Sequence, residues 1–176
     1  MRRIDIVLLL LAACVAQAVA VEPTRPLPPI EVYFSPKGGC TEAILKELKA
    51  AKSTVLVQAY WFTSEPIAKA LVEAHKRGVK VQVILDLSRT EIDNDQAQFI
   101  VQNDVPTFID DKHTTAHSKV IIIDGQIVIT GSFNFTQQAE EENVENLLVI
   151  RDRAIADKFT ANWKAHVEHS GRYEKR

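Results

Sequence analysis

Cysteine is almost missing from this chain: there are two in 176 residues, Cys14 and Cys40. Cys14 lies in an apolar N-terminal run, which leaves a single thiol in the body of the chain. One thiol closes no internal disulfide, so the fold must hold by burying apolar side chains. Of the two fates open to an odd cysteine in an exported chain, a buried and inert Cys40 is the expectation, over a bond between chains. An excess of either charge is also lacking. The formal charge is −2, and losing Arg2, Arg3 and Asp5 with a leader would make it one unit more negative. Bulk charge therefore does not recruit nucleic acid, and a polyanion would have to be met by a local basic surface. Beyond residue 20 no run is long and apolar enough to span a bilayer. No low-complexity tract and no internal repeat is present. What remains is an ordinary globular composition, 46% apolar and 25% charged, in a length suited to one domain.

The first twenty residues read as a secretory leader. Met1-Arg2-Arg3 is basic, residues 6–15 are apolar, and Ala18-Val19-Ala20 offers a small-residue cleavage site. The expectation is cleavage after Ala20 and export, to the periplasm or the medium. Leu11-Ala12-Ala13-Cys14 supports an alternative, a lipoprotein box that would anchor the chain through Cys14. Residues 21–29 carry Pro23, Pro26, Pro28 and Pro29 and read as an extended linker. Residues 30–176 then form the single domain.

Within that domain strand and helix patterns alternate. Strands are expected at residues 30–35, 54–61, 79–85 and 107–109. Between them fall a helix capped by Thr41 and running to Lys52, a helix with Pro66 in its first turn that stops at Gly78, and a helix over residues 91–102. Residues 120–123 and 127–130 form a β-hairpin about Asp124-Gly125. A short acidic helix over 137–142, a strand over 144–150 and a helix over 153–170 complete the chain. Ile155, Phe159, Trp163 and Val167 line the buried side of that last helix. The alternation predicts an α/β domain: a mixed, largely parallel central sheet flanked by helices on both faces.

The hairpin concentrates the chemistry. His117 and Lys119 are two apart and share a face of an extended strand, and Ser132 and Asn134 share one in the same way. Phe133 and Phe135 alternate with them and belong to the core or to a subunit interface. A lone H-x-K is weak, but H117-S-K119-x4-D124-x6-G131-S132-x-N134 resembles the phospholipase D superfamily motif at every fixed position. Asn143-Val-Glu145-Asn-Leu adds a glutamate where that superfamily has one. Phe34-Ser35-Pro36, Tyr60-Trp-Phe-Thr63 and Lys76-Arg77-Gly78-Val79-Lys80 look like the small single-motif bacterial endonucleases of the superfamily. The resemblance spans residues 30–170.

The resemblance implies a phosphodiesterase with the phospholipase D/nuclease fold, working without a metal or other cofactor. His117 would be the nucleophile, forming a covalent phosphohistidine. Lys119, Ser132 and Asn134 would bind the phosphoryl oxygens and stabilise the charge of the transition state. Glu145 would accept a hydrogen bond from the other ring nitrogen of His117 and fix its tautomer. Asp124 has the opposite strand parity to His117 and sits in the turn, so its expected part is to hold the hairpin. A leaving alkoxide also needs a proton. One histidine cannot attack and protonate at once, and the motif occurs once, so a two-fold homodimer sharing one site is expected.

Lys37, Arg89, Lys112 and His113 fall in loops at strand ends and are candidates for phosphate-backbone contact. His75 ends a helix, where a cation is favourable. His166 and His169 are expected to face solvent, and no pair of histidines is expected to gain a third metal ligand. The leading function is a non-specific endonuclease on DNA, with RNA as a second substrate. The alternative is a phospholipase D-type lipid phosphodiesterase, and a third reading is an inactive nucleic-acid-binding protein. Contact with a membrane is expected only if Cys14 is lipidated.

Overall fold

The computed structural model describes residues 26–90 and 95–174, so the expected leader and most of the linker lie outside the described residues. β1 (Ile30–Ser35) leads through α1 (Cys40–Ala50) to β2 (Thr54–Ala59), and α2 (Glu65–Lys76) leads to β3 (Lys80–Asp86). Short α3 (Leu87–Thr90) and α4 (Asp95–Gln102) precede β4 (Thr107–Asp110). The hairpin is β5 (Lys119–Ile123) and β6 (Ile127–Gly131), followed by α5 (Gln137–Glu141), β7 (Glu145–Arg151), α6 (Arg153–Val167) and β8 (Gly171–Arg172).

The strands form one sheet in the order β1-β7-β6-β5-β2-β3-β4-β8. Only β2–β3 and β3–β4 run parallel. The other five pairings are antiparallel, so the α/β class and the mixed sheet hold but the largely parallel character does not. The reason is topological. Alternating strands and helices report strand direction, and β1 does point the same way as β2. Direction does not specify neighbours, and β5, β6 and β7 insert between those two strands.

Alternation along the strands splits the core into two layers, as a period of two requires. Val55, Val57, Val81, Val83, Ile121 and Ile129 pack with Ile44, Leu48, Ile67 and Leu71 of α1 and α2. On the opposite face Ile84, Val120, Ile122, Val128 and Ile150 pack with Ala156 and Trp163 of α6. Trp163 Nε1 donates to the Val57 carbonyl at 2.8 Å, which satisfies the one polar atom of a buried indole. Ile155, Phe159 and Val167 pack partly buried around it. Phe133 and Phe135 are core residues.

Two local features differ from the sequence reading. Thr41 does not cap α1; Gly39 occupies the N-cap in the left-handed region, at φ 82°. The orphan amides are met from a distance. Glu140 of α5 accepts from Gly39 N at 3.2 Å and from Thr41 N at 2.7 Å, placing a carboxylate at the positive end of α1. Cys40 is fully buried beneath this cap. Burial, and then the Glu140 charge, push its thiol up to about 11, so it is inert at neutral pH. β8 is the second difference, since two residues carry no periodicity to read.

Among the described residues, nothing covers one edge of the sheet. Ile30, Val32 and Phe34 of β1 are 47%, 51% and 63% exposed. They line up beside Ile150, Leu148 and Asn146 of β7 and form an apolar stripe at the sheet margin.

Candidate active site

The sheet ordering gathers the motif residues at one end. β5 begins with Lys119 beside Ala59, the last residue of β2. β6 ends at Gly131 and β7 begins with Glu145, opposite Ser35 at the end of β1. His117 stands just before β5, and Ser132 and Asn134 just after β6.

His117 and Lys119 are brought together as the strand parity required. Lys119 Nζ lies 3.1 Å from His117 Nδ1 and donates to the His117 carbonyl at 2.7 Å. The lysine is only 6% exposed, and burial lowers its pKa while the charge of Glu145 opposes that fall. Its ammonium also sits 4.8 Å above the Tyr60 ring, in cation–π range. The same ring packs against His117, with centroids 4.3 Å apart and the planes tilted by 48°. Tyr60 therefore packs against both motif side chains. Spacing alone did not single it out; its signal was the Tyr60-Trp-Phe-Thr63 segment that immediately follows β2.

That segment is stitched to the motif strand. Tyr60 N donates to the Ser118 carbonyl at 3.0 Å, Phe135 N to the Trp61 carbonyl at 3.1 Å, and Thr63 N and Ser64 N to the Phe135 carbonyl at 2.9 Å. Asn134 is held between these bonds, and its Oδ1 is buried without a hydrogen-bond partner. A buried amide with an unmet atom is costly unless a further group arrives to satisfy it. Ser132 is exposed, and its Oγ accepts from Asn146 N at 3.1 Å and Asn146 Nδ2 at 3.3 Å, so its own proton is left to donate. The residue before Ser132 has room for no side chain, which Gly131 meets. It sits at φ 155°, and a Cβ there would meet the Asn146 carbonyl oxygen at 2.2 Å.

The two carboxylates of the motif part ways. Glu145 does not bond to His117 in the structure. Its carboxylate accepts from Asn143 Nδ2 at 3.2 Å, because Lys119 occupies the Nδ1 edge of the imidazole. Asp124 is at the far end of β5, away from the chemistry. One oxygen accepts from Ser53 N at 2.7 Å, Ser53 Oγ at 2.8 Å and Thr54 N at 3.0 Å, and the other from Lys52 N at 2.9 Å. Burial would raise its pKa, but the bonds from Thr54, Ser53 and Lys52 outweigh it and the net shift is downward. It clamps the α1–β2 turn to the hairpin.

The loop cations divide. Lys37 follows β1 with its amide bonded to the Glu140 carbonyl at 2.7 Å. Lys112 pairs with Asp111 at 3.3 Å, and Arg89 lies in α3. His113 is not free for phosphate. It bonds Asp110, and His166 and His169 converge on the same carboxylate instead of facing solvent. The expectation that no pair of histidines finds a third donor therefore fails: the return of α6 and β8 beside β4 brings together residues 53 positions or more apart.

A family profile described as the cardiolipin synthase PLD-like domain matches residues 44–167. A phospholipase D of Rickettsia prowazekii is 39% identical over 134 residues, which are 76% of this chain and 65% of that protein. A mitochondrial cardiolipin hydrolase of Mus musculus is 30% identical over 125 residues, 69% of this chain and 57% of that protein. The chain thus spans less than two thirds of the length of these curated relatives. Among solved structures, Nuc from Salmonella typhimurium, a phospholipase D family member, aligns with a TM-score of 0.81 at 34% identity. It covers 84% of this chain and 99% of that one. NucT from Helicobacter pylori aligns at 0.73 and 25% identity, over 82% of this chain and 99% of that one. The profile runs from within α1 to the end of α6, and the match to Nuc runs the length of that protein, so the chain belongs to the phospholipase D superfamily.

Proposed function

We propose that the chain is an exported endonuclease that hydrolyses DNA, and RNA secondarily, through a phosphohistidine on His117. The carrying observation is the buried Lys119 ammonium held 3.1 Å from the His117 ring. With Lys119 donating to Nδ1, the ring proton rests on Nε2. Attack by Nε2 needs the other tautomer. A phosphodiester supplies the exchange: its non-bridging oxygens draw Lys119 off the ring, Nδ1 takes the proton, and Glu145, already coupled to Lys119 through charge, accepts it as a hydrogen bond. Nε2 then bonds to phosphorus, while Lys119, the Asn134 amide and the Ser132 hydroxyl hold the equatorial oxygens. The bond to the leaving oxygen breaks, and that oxygen takes a proton from His117 of the partner subunit. The same partner imidazole next deprotonates water, which displaces Nε2 and releases the phosphate monoester.

The homodimer is part of this reading, and it requires that the two hairpins meet around one phosphate. The match over 99% of Nuc and of NucT supports a hairpin that serves as one subunit's share of the site. The apolar β1 margin offers area for the contact. Low sequence preference follows from the absence, among the described residues, of an element set apart to enter a groove and read bases.

A second reading, a lipid phosphodiesterase, draws on the names of the curated relatives and on Trp61, which is 39% exposed beside Tyr60. The two readings share every catalytic group, because those groups touch only the phosphodiester. Purified protein is given plasmid DNA, RNA and phosphatidylcholine in parallel, each with and without excess EDTA. DNA cleavage that survives EDTA, from a species sedimenting as a dimer, is expected. Lipid cleavage without DNA cleavage overturns the nuclease in favour of the second reading, and a fully active monomer overturns the shared site. Mass spectrometry of the exported chain decides between a start at Val21 and lipidation at Cys14.

A further inference from the structure

Outside the candidate active site, one cluster of side chains has no part in the reaction. Asp110 ends β4 and is fully buried. His113 follows in the β4–β5 connection, His166 lies in the last turn of α6, and His169 lies between α6 and β8. The histidines meet the carboxylate from three sides. His113 Nδ1 is 2.9 Å and 3.0 Å from its two oxygens, His166 Nδ1 is 3.1 Å from Oδ2, and His169 Nε2 is 3.5 Å from Oδ2. Ring centroids stand 5.0, 5.2 and 5.3 Å apart, close to an equilateral triangle. One donor atom from each of the four residues falls within a 4.8 Å sphere of mutual distance.

Hydrogen bonding alone does not account for this packing. The carboxylate already accepts from the Lys112 amide at 3.2 Å and faces His113 and His166, so three groups crowd its two oxygens before His169 is counted. His169 Nε2 is left buried with no hydrogen-bond partner. Three imidazole nitrogens and one carboxylate oxygen, all within 4.8 Å of one another, are the donor types and the spacing of a metal shell.

We propose that Asp110, His113, His166 and His169 form a structural site for a borderline divalent transition ion of the zinc class. Three nitrogens and one oxygen suit such an ion, whereas magnesium and calcium call for oxygen donors. In a tetrahedron with metal–ligand bonds of ~2.0–2.1 Å, donors lie about 3.3 Å apart. The 3.0, 3.1 and 3.5 Å distances from the three ring nitrogens to Asp110 Oδ2 bracket that value. All four donors are protein side chains, so the shell is closed, as structural sites are, and leaves no position for substrate. The ion would fasten the β4–β5 connection to the C-terminal end of α6. The sequence trace of the site is D110-x2-H113 followed by H166-x2-H169, two pairs at metal-ligand spacing.

The four donors of the site gather on one another, whereas His117 packs on Tyr60 and Lys119, although one connection carries both His113 and His117. Ala116 N donates to Asp86 Oδ2 at 2.6 Å, which anchors the chain one residue before His117 regardless of what binds at His113. Metal binding should therefore move stability far more than turnover.

The test uses untagged full chain, stripped with a chelator, dialysed and titrated with ZnCl2 by calorimetry, then with CoCl2 while the visible spectrum is read. One zinc per chain is expected, with a rise in Tm, along with the intense visible bands of four-coordinate nitrogen- and oxygen-ligated cobalt. His169→Ala and His113→Gln, both at partly exposed positions, should each weaken binding by roughly a hundredfold or more, since even outer-shell partners are worth ~10–100-fold. Circular dichroism checks each variant, and the two are read independently so that a folding failure in one does not remove the test. No zinc binding by the native chain, or binding that both folded variants retain at native affinity, overturns the site. A weak, six-coordinate cobalt spectrum overturns the closed four-ligand geometry.

Discussion

Asp124 is the motif carboxylate, and the sharpest test of its part is Asp124→Ala. The substitution removes four hydrogen bonds to residues 52–54 and leaves alanine at φ 54°, in the left-handed region. Lys52 and Ser53 regain water when the carboxylate goes, so each of their bonds is worth about 0.5–1 kcal/mol net, and the less exposed Thr54 amide somewhat more. The left-handed alanine adds ~1 kcal/mol. Together the expected loss is about 3–5 kcal/mol, a large part of the ~5–15 kcal/mol that holds a domain folded. Asp124→Asn keeps an acceptor and tolerates the backbone, so it should lose about half as much. The pH dependence has a definite sign. Asp124 has a folded pKa below its unfolded value of ~3.9, so its stabilisation is present above that value and is lost as pH falls through the folded one. The gap between the native chain and Asp124→Asn should therefore close in acid. Urea unfolding followed by circular dichroism, at neutral pH and again below pH 4, measures both effects, with kcat recorded on the folded fraction. A thousandfold fall in kcat at unchanged stability would refute the scaffolding assignment and return Asp124 to the chemistry.

Other substitutions test the remaining parts. His117→Ala should abolish burst labelling by substrate phosphate and reduce turnover to background. Lys119→Met should lower kcat by ~10²–10³-fold, about 3–4 kcal/mol of transition-state stabilisation, while KM and the unfolding midpoint change little. Gly131→Ala, whose methyl would strike the Asn146 carbonyl at 2.2 Å, should displace Ser132 and cost both stability and kcat, seen together in melting and rate assays. Arg151→Ala should destabilise by about 3 kcal/mol by stranding Glu47. That glutamate is only 4% exposed and meets the guanidinium at 2.7 and 3.0 Å. Adding Glu47→Leu should recover much of the loss, and thermal unfolding of the double variant checks it.

The features legible in the sequence were those written in local periodicity. β5 and β6 could be read because isoleucine and valine fill them and Asp124-Gly125 supplies two positive φ angles for the turn. The His117–Lys119 contact could be read because strand parity fixes it within three residues. Parity also separated Asp124 from the chemistry, although not its partners at residues 52–54, 70 positions earlier. The capping of α1 by Glu140 was hidden for a related reason: Thr41 is a good local capper, and a carboxylate 99 residues away outcompetes it. Glu145 illustrates a third limit. Its position at the start of β7 was right, but which neighbour it bonds depends on whether Lys119 or a phosphate occupies the space beside Nδ1. The histidine cluster was hidden by tertiary return. His166-x2-His169 looks like a solvated helix end until β8 pairs with β4 and turns it toward Asp110.

The β4–β5 connection carries both centres, so the two proposals meet in one experiment and can be told apart there. His113 ties the connection to α6, and the Asp86–Ala116 bond ties it to β3 four residues before the Val120 pairing begins. If the second tie alone holds His117, removing zinc should lower Tm while leaving the rate of DNA cleavage well below Tm within about twofold. His169→Ala should behave the same way with or without zinc. A metal taking part in the chemistry predicts something else: a cleavage rate that falls to background in EDTA at a temperature where circular dichroism shows the chain fully folded. That outcome would leave the four-ligand site standing and remove the metal-free phosphohistidine mechanism. A zinc-insensitive Tm with intact cleavage would do the reverse.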